Sequence, residues 1–198
     1  MSIANYFTLL RLFIGPLFLI LYTTPDAFDL NLKTLPYALL LLLVIAELSD
    51  AFDGFIARRF NEVTDLGKLL DPMADSIYRL SLFLTFTRPP VNLPMGLVFI
   101  FFYRDTIIST LRTICALKGE TLAARFSGKV KACVQGLAAF IIIILMIFFA
   151  YDFISQDELT IYASWITLIA ALYSVFSGLE YIASNREYIA RTLLNKNT

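Results

Sequence analysis

The chain contains six apolar stretches, and each is long enough to cross a lipid bilayer. They cover residues 6–24, 35–57, 69–87, 93–117, 130–151 and 159–182. A helix needs about 20 apolar residues to cross the hydrocarbon layer, because each residue advances it by about 1.5 Å. Within lipid, a helix also satisfies its backbone hydrogen bonds by itself. The sequence therefore predicts an all-α fold, an integral membrane bundle of six transmembrane helices.

No boundary between domains is visible in the sequence. No internal repeat, low-complexity segment or Pro/Gly-rich linker separates the six stretches. Hydrophobic residues make up 59% of the 198 residues, and the mean hydropathy of +0.74 is higher than a soluble domain needs for one core. The first stretch contains Arg11 and Pro16 and follows no basic cluster, which indicates an uncleaved span rather than a signal peptide. We expect residues 1–198 to form a single membrane domain surrounded by lipid.

The residue types limit the chemistry that is open to the chain. Sixteen Lys and Arg balance sixteen Asp and Glu, so the net charge predicts no nucleic-acid partner. The chain has no His, and Cys115 and Cys133 lack a CxxC spacing, which argues against a zinc site. Without His, the Ser-His-Asp and Cys-His mechanisms are excluded. A general base must then be a carboxylate, Lys, Tyr or water.

Basic residues near the ends of the apolar stretches predict the orientation. One side of a six-span arrangement carries Arg58, Arg59, Lys68, Lys118, Arg125, Lys129, Lys131, Arg186, Arg191 and Lys196. The other side carries Lys33 and Arg88. Because cytoplasmic loops are rich in Lys and Arg, we expect the second, fourth and sixth stretches to end in the cytoplasm. Both termini are then expected in the cytoplasm as well.

Charge is concentrated between Ser49 and Asp75. This segment holds six of the sixteen acidic residues, together with Arg58, Arg59 and Lys68. An ionisable group in a membrane helix costs about 2.5–3.5 kcal/mol at the bilayer centre and less near the surface. Such a concentration therefore needs a compensating charge and indicates a functional site.

Helical periodicity places the polar residues of this segment on two faces. At 100° per residue, one stripe about 140° wide contains Asp50, Asp53, Gly54, Ala57 and Arg58. One face of the next helix contains Gly67, Asp71 and Asp75, spaced by four residues. A turn around residues 61–64 would make the two helices antiparallel neighbours and bring their faces together.

Four converging carboxylates repel one another unless cations neutralise them. About two divalent ions are expected, and oxygen-only ligands favour Mg²⁺ or Mn²⁺, with Ca²⁺ open on ligand type alone. Arg58 adds a donor fork for a phosphate. The small residues at positions 54, 57 and 67 let a ring or a phosphate approach the backbone. The arrangement predicts a site for a nucleotide diphosphate.

Each aspartate also has a simpler explanation when it is taken alone. Asp50 and Asp53 could be solvated at a helix end, and Asp71, which precedes a proline, could cap the start of a helix. Asp75 could form an ion pair with Arg79, four residues further on. These explanations leave the small residues and the arginine of the segment without a role. We therefore favour a common site.

The same residues fit the motif of a known family. The run Asp50-Ala-Phe-Asp53-Gly54-Phe-Ile-Ala57-Arg58, eight further residues and Gly67-Lys-Leu-Leu-Asp71-Pro-Met-Ala-Asp75 match D-x-x-D-G-x-x-A-R-x8-G-x-x-x-D-x-x-x-D without a gap. This pattern resembles the CDP-alcohol phosphatidyltransferases, and the six-span architecture is similar along nearly the whole chain. The resemblance implies that two metal ions, Mg²⁺ or Mn²⁺, are bound by Asp50, Asp53, Asp71 and Asp75.

The resemblance implies further roles and partners. It assigns the CDP pocket to Asp53, Gly54, Ala57, Arg58 and Gly67. It makes Asp75 the catalytic residue that takes the proton from the acceptor hydroxyl, and it makes CDP-diacylglycerol the donor. It also implies a homodimer in the bacterial inner membrane, with the active site on the cytoplasmic side.

A second charged segment narrows the choice of acceptor. Arg104 and Arg112 lie in the fourth apolar stretch, about 80° apart around the helix, and Lys129 and Lys131 lie at the start of the fifth. Asp105 could form an internal ion pair with an arginine, but one acid cannot neutralise both. The surplus charge predicts that the four basic residues bind the phosphate of an acceptor such as sn-glycerol 3-phosphate. This segment also resembles that of family members using this acceptor.

The expected reaction is transfer of a phosphatidyl group from CDP-diacylglycerol to sn-glycerol 3-phosphate, which yields phosphatidylglycerophosphate and CMP in phospholipid biosynthesis. The alternatives are synthases of cardiolipin, phosphatidylserine or inositol lipids, which use the same chemistry. No residue stands out as a covalent nucleophile, which favours single displacement. A more remote alternative is an ion-coupled transporter, but the sequence lacks the inverted repeats typical of one.

Overall fold

The computed structural model describes residues 3–59, 65–117 and 125–194, with backbone alone at 3–8, 50–51, 53–59, 65–71, 116 and 191–194. Its helices are α1 (Ile3–Thr23), α2 (Leu35–Arg59), α3 (Asp65–Thr85), α4 (Met95–Leu117), α5 (Phe126–Ala150), α6 (Gln156–Ser184) and α7 (Arg186–Leu194). A short 3-10 turn, Pro25–Phe28, follows α1. The described part of the chain contains no strand. The prediction of an all-α fold is confirmed.

Helix length and hydropathy show which of the described helices could cross a membrane. By length and composition, α5 and α6 are able to cross a bilayer. Shorter apolar helical segments cover Leu9–Thr23 in α1 and Leu35–Ser49 in α2. The first six helices overlap the six predicted stretches, but the number that cross the membrane stays a prediction.

Several helices extend beyond the apolar residues that predicted them. Helix α3 begins at Asp65 and α5 at Phe126, each four residues before the predicted start, and α2 continues to Arg59. Hydropathy marks only the apolar part of a helix, whereas backbone hydrogen bonding continues into polar sequence. The sequence did not predict the short helix α7. The predicted turn at 61–64 lies outside the described residues.

Helix α6 starts where the sequence supplies a capping box. The Ser155 hydroxyl accepts a hydrogen bond from the Glu158 backbone N–H, at 3.3 Å, and the Glu158 carboxylate accepts one from the Ser155 N–H, at 2.8 Å. Together these bonds satisfy two backbone donors at the helix end. They set the start of α6 three residues before its predicted apolar stretch.

The helices pack around an apolar core that lies towards one end of the bundle. Helix α1 packs against α2 and α3, α5 packs against α6 and α2, and α4 packs against α6 and α3. Edge-to-face ring contacts join Phe18 to Phe86, with centroids 5.7 Å apart. The Tyr22 hydroxyl donates to the Arg88 carbonyl oxygen at 3.0 Å and secures the loop before α4. Arg11, Asp75 and Arg104, which are charged residues within helices, lie outside this core.

The backbone rules out two of the simpler explanations for the aspartates. Asp71 and Pro72 lie inside α3, which begins at Asp65, so Asp71 does not cap the start of a helix. Helix α2 extends to Arg59, so Asp50 and Asp53 do not lie at its end. A proline inside a membrane helix is tolerated where neighbouring groups satisfy the freed backbone carbonyl.

Candidate active site

A charged cavity of about 420 Å³ opens between α3, α4 and α5. The described residues that line it are Glu47, Pro72, Asp75, Ser76, Arg79, Arg104, Arg112, Arg125, Gly128, Lys129, Lys131, Ala132 and Cys133. Six of these side chains are basic and two are acidic. The cavity therefore combines a carboxylate on α3 with an excess of positive charge from α4 and α5.

Asp75 lies on the cavity wall and forms an ion pair with Arg11 of α1. The Arg11 Nη1 atom is 2.8 Å from Asp75 Oδ1; the Arg11 side chain is 1% exposed and the Asp75 side chain 29% exposed. Further along the two helices, four residues after Arg11 and six after Asp75, Gly15 approaches Ser81 so closely that an added Cβ would lie 3.2 Å from the serine side chain. This close helix approach allows the buried arginine to reach Asp75. Arg79 pairs with Glu47 and not with Asp75. The simpler explanation, an ion pair between Asp75 and Arg79, is therefore wrong.

Arg79 instead connects three helices at the floor of the cavity. Its Nη1 atom donates to Glu47 of α2 at 3.2 Å and to the Ala132 carbonyl oxygen of α5 at 2.8 Å. A Cβ at Gly136 would lie 3.2 Å from both Arg79 and Glu47, so this glycine makes room for the pair. The network holds the two aspartate-bearing helices against α5.

A second network surrounds Asp105 on α4. Arg104 Nη1 is 2.9 Å from Asp105 Oδ1, and Lys131 Nζ is 2.7 and 2.8 Å from the two carboxylate oxygens. Arg104 also donates to the Ser177 hydroxyl of α6 at 2.8 Å. A Cβ at Gly178 would lie 3.1 Å from the Arg104 side chain. The internal ion pair left open by the sequence is therefore formed by Arg104, and Asp105 binds Lys131 as well.

The remaining basic residues of the cavity have different surroundings. Arg112 donates from Nε to the Tyr181 hydroxyl at 3.1 Å, and its guanidinium lies 4.9 Å from the centroid of that ring. Arg125 forms an ion pair with Glu180 at 2.9 Å. Lys129 is exposed on α5. Arg112 and Lys129 thus keep charge that is available to an anion in the cavity.

The helices carry the four predicted metal-binding aspartates in two pairs. Asp50 and Asp53 lie nine and six residues before the end of α2, Asp71 lies in the first half of α3, and Asp75 lies at its middle. Asp75 is the one whose side chain is described. The side chains of the other three aspartates, of Ala57 and of Arg58 are not described, and Gly54 and Gly67 are placed by their helical backbone alone. The donor set, all carboxylate oxygens, suits Mg²⁺ or Mn²⁺.

The sequence did not assign a role to several residues of this site. Arg11 was visible as an ionisable residue in an apolar stretch, which is a sign of function in membrane helices. Glu47 precedes Asp50 by three residues and Arg79 follows Asp75 by four, so helical spacing placed them near the motif faces. Tyr181 had no comparable signal, because a tyrosine near the end of an apolar helix is common.

The described part of the chain is an all-helical protein with apolar helices and a positively charged cavity. The family model described as CDP-alcohol phosphatidyltransferase matches residues 1–186. This chain therefore belongs to the CDP-alcohol phosphatidyltransferase family. Members of this family generally depend on a divalent metal.

Individual relatives give a more specific similarity. The chain is 29% identical over 192 residues to the CDP-diacylglycerol–glycerol-3-phosphate 3-phosphatidyltransferase of Bacillus subtilis (strain 168), which covers 94% of this chain and 96% of the relative. Proteins with the same name from Escherichia coli (strain K12) and Sodalis glossinidius are 32% and 35% identical. These two matches cover 69% and 70% of this chain, and 74% of each relative.

Proposed function

We propose that this protein transfers the phosphatidyl group of CDP-diacylglycerol to sn-glycerol 3-phosphate. The products are phosphatidylglycerophosphate and CMP, in phospholipid biosynthesis. The observation that carries the proposal is the cavity in which Asp75 lies together with Arg112 and Lys129. A carboxylate can take the proton from the reacting hydroxyl, and the basic side chains can bind a phosphate on the same acceptor. The names of the relatives support the same pair of substrates.

The donor is expected to bind at the two aspartate-bearing helices. Its CDP group would contact Asp53, Gly54, Ala57, Arg58 and Gly67, and its acyl chains would remain among the helices in lipid. Two Mg²⁺ or Mn²⁺ ions would be held by Asp50, Asp53, Asp71 and Asp75. When bound, such ions neutralise diphosphate charge and stabilise CMP as the leaving group.

The chain itself contributes orientation and proton transfer. Arg112 and Lys129 hold the acceptor phosphate, which directs the acceptor hydroxyl towards Asp75. Asp75 removes the hydroxyl proton as the hydroxyl oxygen attacks the phosphorus that bears diacylglycerol. The bond from that phosphorus to the CMP oxygen breaks in the same displacement. Arg11 holds Oδ1 of Asp75 and so maintains the direction of the carboxylate.

An acceptor panel tests this function directly. Purified protein in detergent is given CDP-diacylglycerol and Mg²⁺ with glycerol 3-phosphate, serine, inositol or phosphatidylglycerol, and CMP release is measured. We expect the highest kcat/KM with glycerol 3-phosphate. Faster turnover of serine, inositol or phosphatidylglycerol would refute the acceptor assignment and leave the transferase chemistry standing. No CMP release with any acceptor would refute both.

We further propose that six helices, α1 to α6, span the bacterial inner membrane, with both termini and the cavity on the cytoplasmic side. The distribution of basic residues supports this orientation. Single cysteines at Lys33 and Arg186, in a background lacking Cys115 and Cys133, test it with a membrane-impermeant thiol reagent. In intact cells we expect labelling at position 33 and protection at 186. The reverse pattern would contradict the orientation.

The family resemblance also favours a homodimer. Light scattering of the detergent-solubilised protein, corrected for bound detergent, measures the protein mass in the particle. We expect twice the 22.4 kDa of one chain. A mass of one chain at all concentrations would rule out a stable dimer in detergent.

A further inference from the structure

Most basic side chains of the cavity already have an acidic partner. The described basic residues that line the cavity form the ion pairs Arg79–Glu47, Arg125–Glu180, Arg104–Asp105 and Lys131–Asp105. An arginine or lysine that bonds a carboxylate has part of its charge neutralised and some of its donors occupied. These side chains are therefore less suited to bind an additional anion.

Arg112 differs because its partner is neutral. Its Nε atom donates to the Tyr181 hydroxyl at 3.1 Å, and its guanidinium lies 4.9 Å from the tyrosine ring centroid. A phenol orients the guanidinium without cancelling its charge. Within the described part of the chain, no group forms a hydrogen bond with the two terminal nitrogens of Arg112. Those nitrogens make the planar fork that binds two oxygens of one phosphate.

Tyr181 is itself well fixed in the structure. It is 2% exposed and lies in α6, and its carbonyl oxygen accepts a hydrogen bond from the Asn185 side chain at 2.8 Å. It is not among the residues that line the cavity. Tyr181 therefore acts on a ligand through Arg112 rather than by direct contact.

We propose that Tyr181 is a positioning residue for acceptor specificity. By holding Nε of Arg112, it turns the two terminal nitrogens towards the cavity, where they bind the phosphate of the acceptor. The inference rests on the proposed function, because it takes a phosphorylated acceptor as the ligand of Arg112. It adds a residue of α6 to a site that the sequence assigned to the second to fifth helices.

Tyr181→Phe removes the hydroxyl and keeps the ring, so it tests the hydrogen bond with little change in packing. We expect the KM for glycerol 3-phosphate to rise about three- to tenfold, while kcat and the KM for CDP-diacylglycerol stay within about twofold. The melting temperature should remain close to that of the wild type. An unchanged acceptor KM would overturn the inference, and so would an equal loss for both substrates.

Two matched variants separate positioning from a general structural effect. Tyr173→Phe removes a hydroxyl from the same helix at a residue that does not line the cavity, and we expect wild-type kinetics. In an Arg112→Ala background, Tyr181→Phe should cause no further rise in the acceptor KM, because the two residues act as a unit. Additive effects of the two substitutions would contradict a role through Arg112.

A direct measurement of acceptor binding tests the role of Tyr181 separately from the proposed function. Calorimetry measures the affinity of the detergent-solubilised wild type and Tyr181→Phe for glycerol 3-phosphate, with glycerol as the unphosphorylated control. If the wild type turns over an unphosphorylated acceptor faster, the proposed function fails and calorimetry alone decides the inference. Weaker binding of glycerol 3-phosphate by Tyr181→Phe supports it. Equal binding by both proteins overturns it.

Discussion

The buried Arg11 of α1 and the partly exposed Asp75 of α3 form an ion pair, with 2.8 Å between Nη1 and Oδ1. The arginine lies in an apolar helix, and its charge would be costly there without a carboxylate beside it. The same carboxylate lines the charged cavity. The first helix is therefore part of the site, although it contributes no residue to the aspartate motif.

Replacement of Arg11 should affect both stability and turnover. Arg11→Met removes the buried cation that pairs with the partly exposed Asp75, and we expect the free energy of unfolding to fall by about 1–3 kcal/mol. Turnover should fall at least tenfold in the protein that remains folded, because Asp75 is no longer held in position. Arg11→Lys should recover part of the rate. Thermal denaturation and CMP release measure the two effects, with the exposed Arg88→Met as control; wild-type values for Arg11→Met would contradict the role.

Divalent metal should be essential for activity. Treatment with EDTA should abolish CMP release, and Mg²⁺ or Mn²⁺ should restore it, because the predicted cluster of four carboxylates needs a counter-charge. Asp50→Asn or Asp71→Asn should abolish turnover while membrane insertion is retained. Full activity of the EDTA-treated, metal-free protein would refute the metal site.

The proposed base should affect rate more than affinity. Asp75→Asn should lower kcat by about 10² to 10⁴, with a smaller change in the affinity for CDP-diacylglycerol. Single-turnover kinetics and a donor binding assay measure the two quantities. An equally large loss of donor binding would limit Asp75 to metal binding.

The four basic residues assigned to the acceptor should separate into two classes. Arg112→Ala and Lys129→Ala should raise the KM for glycerol 3-phosphate, by about ten- to a hundredfold for Arg112 and about tenfold for the exposed Lys129. Affinity for CDP-diacylglycerol should change little. By contrast, Arg104→Ala and Lys131→Ala remove partners of Asp105 and should lower the melting temperature. Kinetics measured beside thermal denaturation distinguish the classes; a KM effect without destabilisation at Arg104 would place it with Arg112.

A methyl group at Gly136 should disturb the floor of the cavity. The added Cβ would lie 3.2 Å from both Arg79 and Glu47, which are held by their mutual ion pair. We expect Gly136→Ala to destabilise the protein by about 1–3 kcal/mol in thermal or denaturant unfolding. Gly96→Ala is the control, because nothing lies within 4 Å of a Cβ there. Equal stability of the two variants would show that the pair adjusts freely.

Local sequence patterns were sufficient to predict most of the helices and the residues that share a helical face. Apolar runs of sufficient length predicted the first six helices, since burial in lipid and local backbone hydrogen bonding depend on neighbouring residues. The positions of Asp71 and Asp75 on one face of α3 follow from the same local periodicity. The helix ends were less predictable, because α3 and α5 continue into polar sequence where hydropathy gives no signal.

Which charged groups contact one another depends on the tertiary structure. Arg11 and Asp75 are far apart in the chain, and their contact depends on the close packing of α1 against α3 at Gly15. Within α4, both Arg104 and Arg112 were candidate partners of Asp105. The packing of α5 places Lys131 beside Asp105 as well. Tyr181 reached Arg112 because α6 packs against α4. Such contacts depend on how whole helices pack, and the periodicity within one helix carries no information about its neighbours.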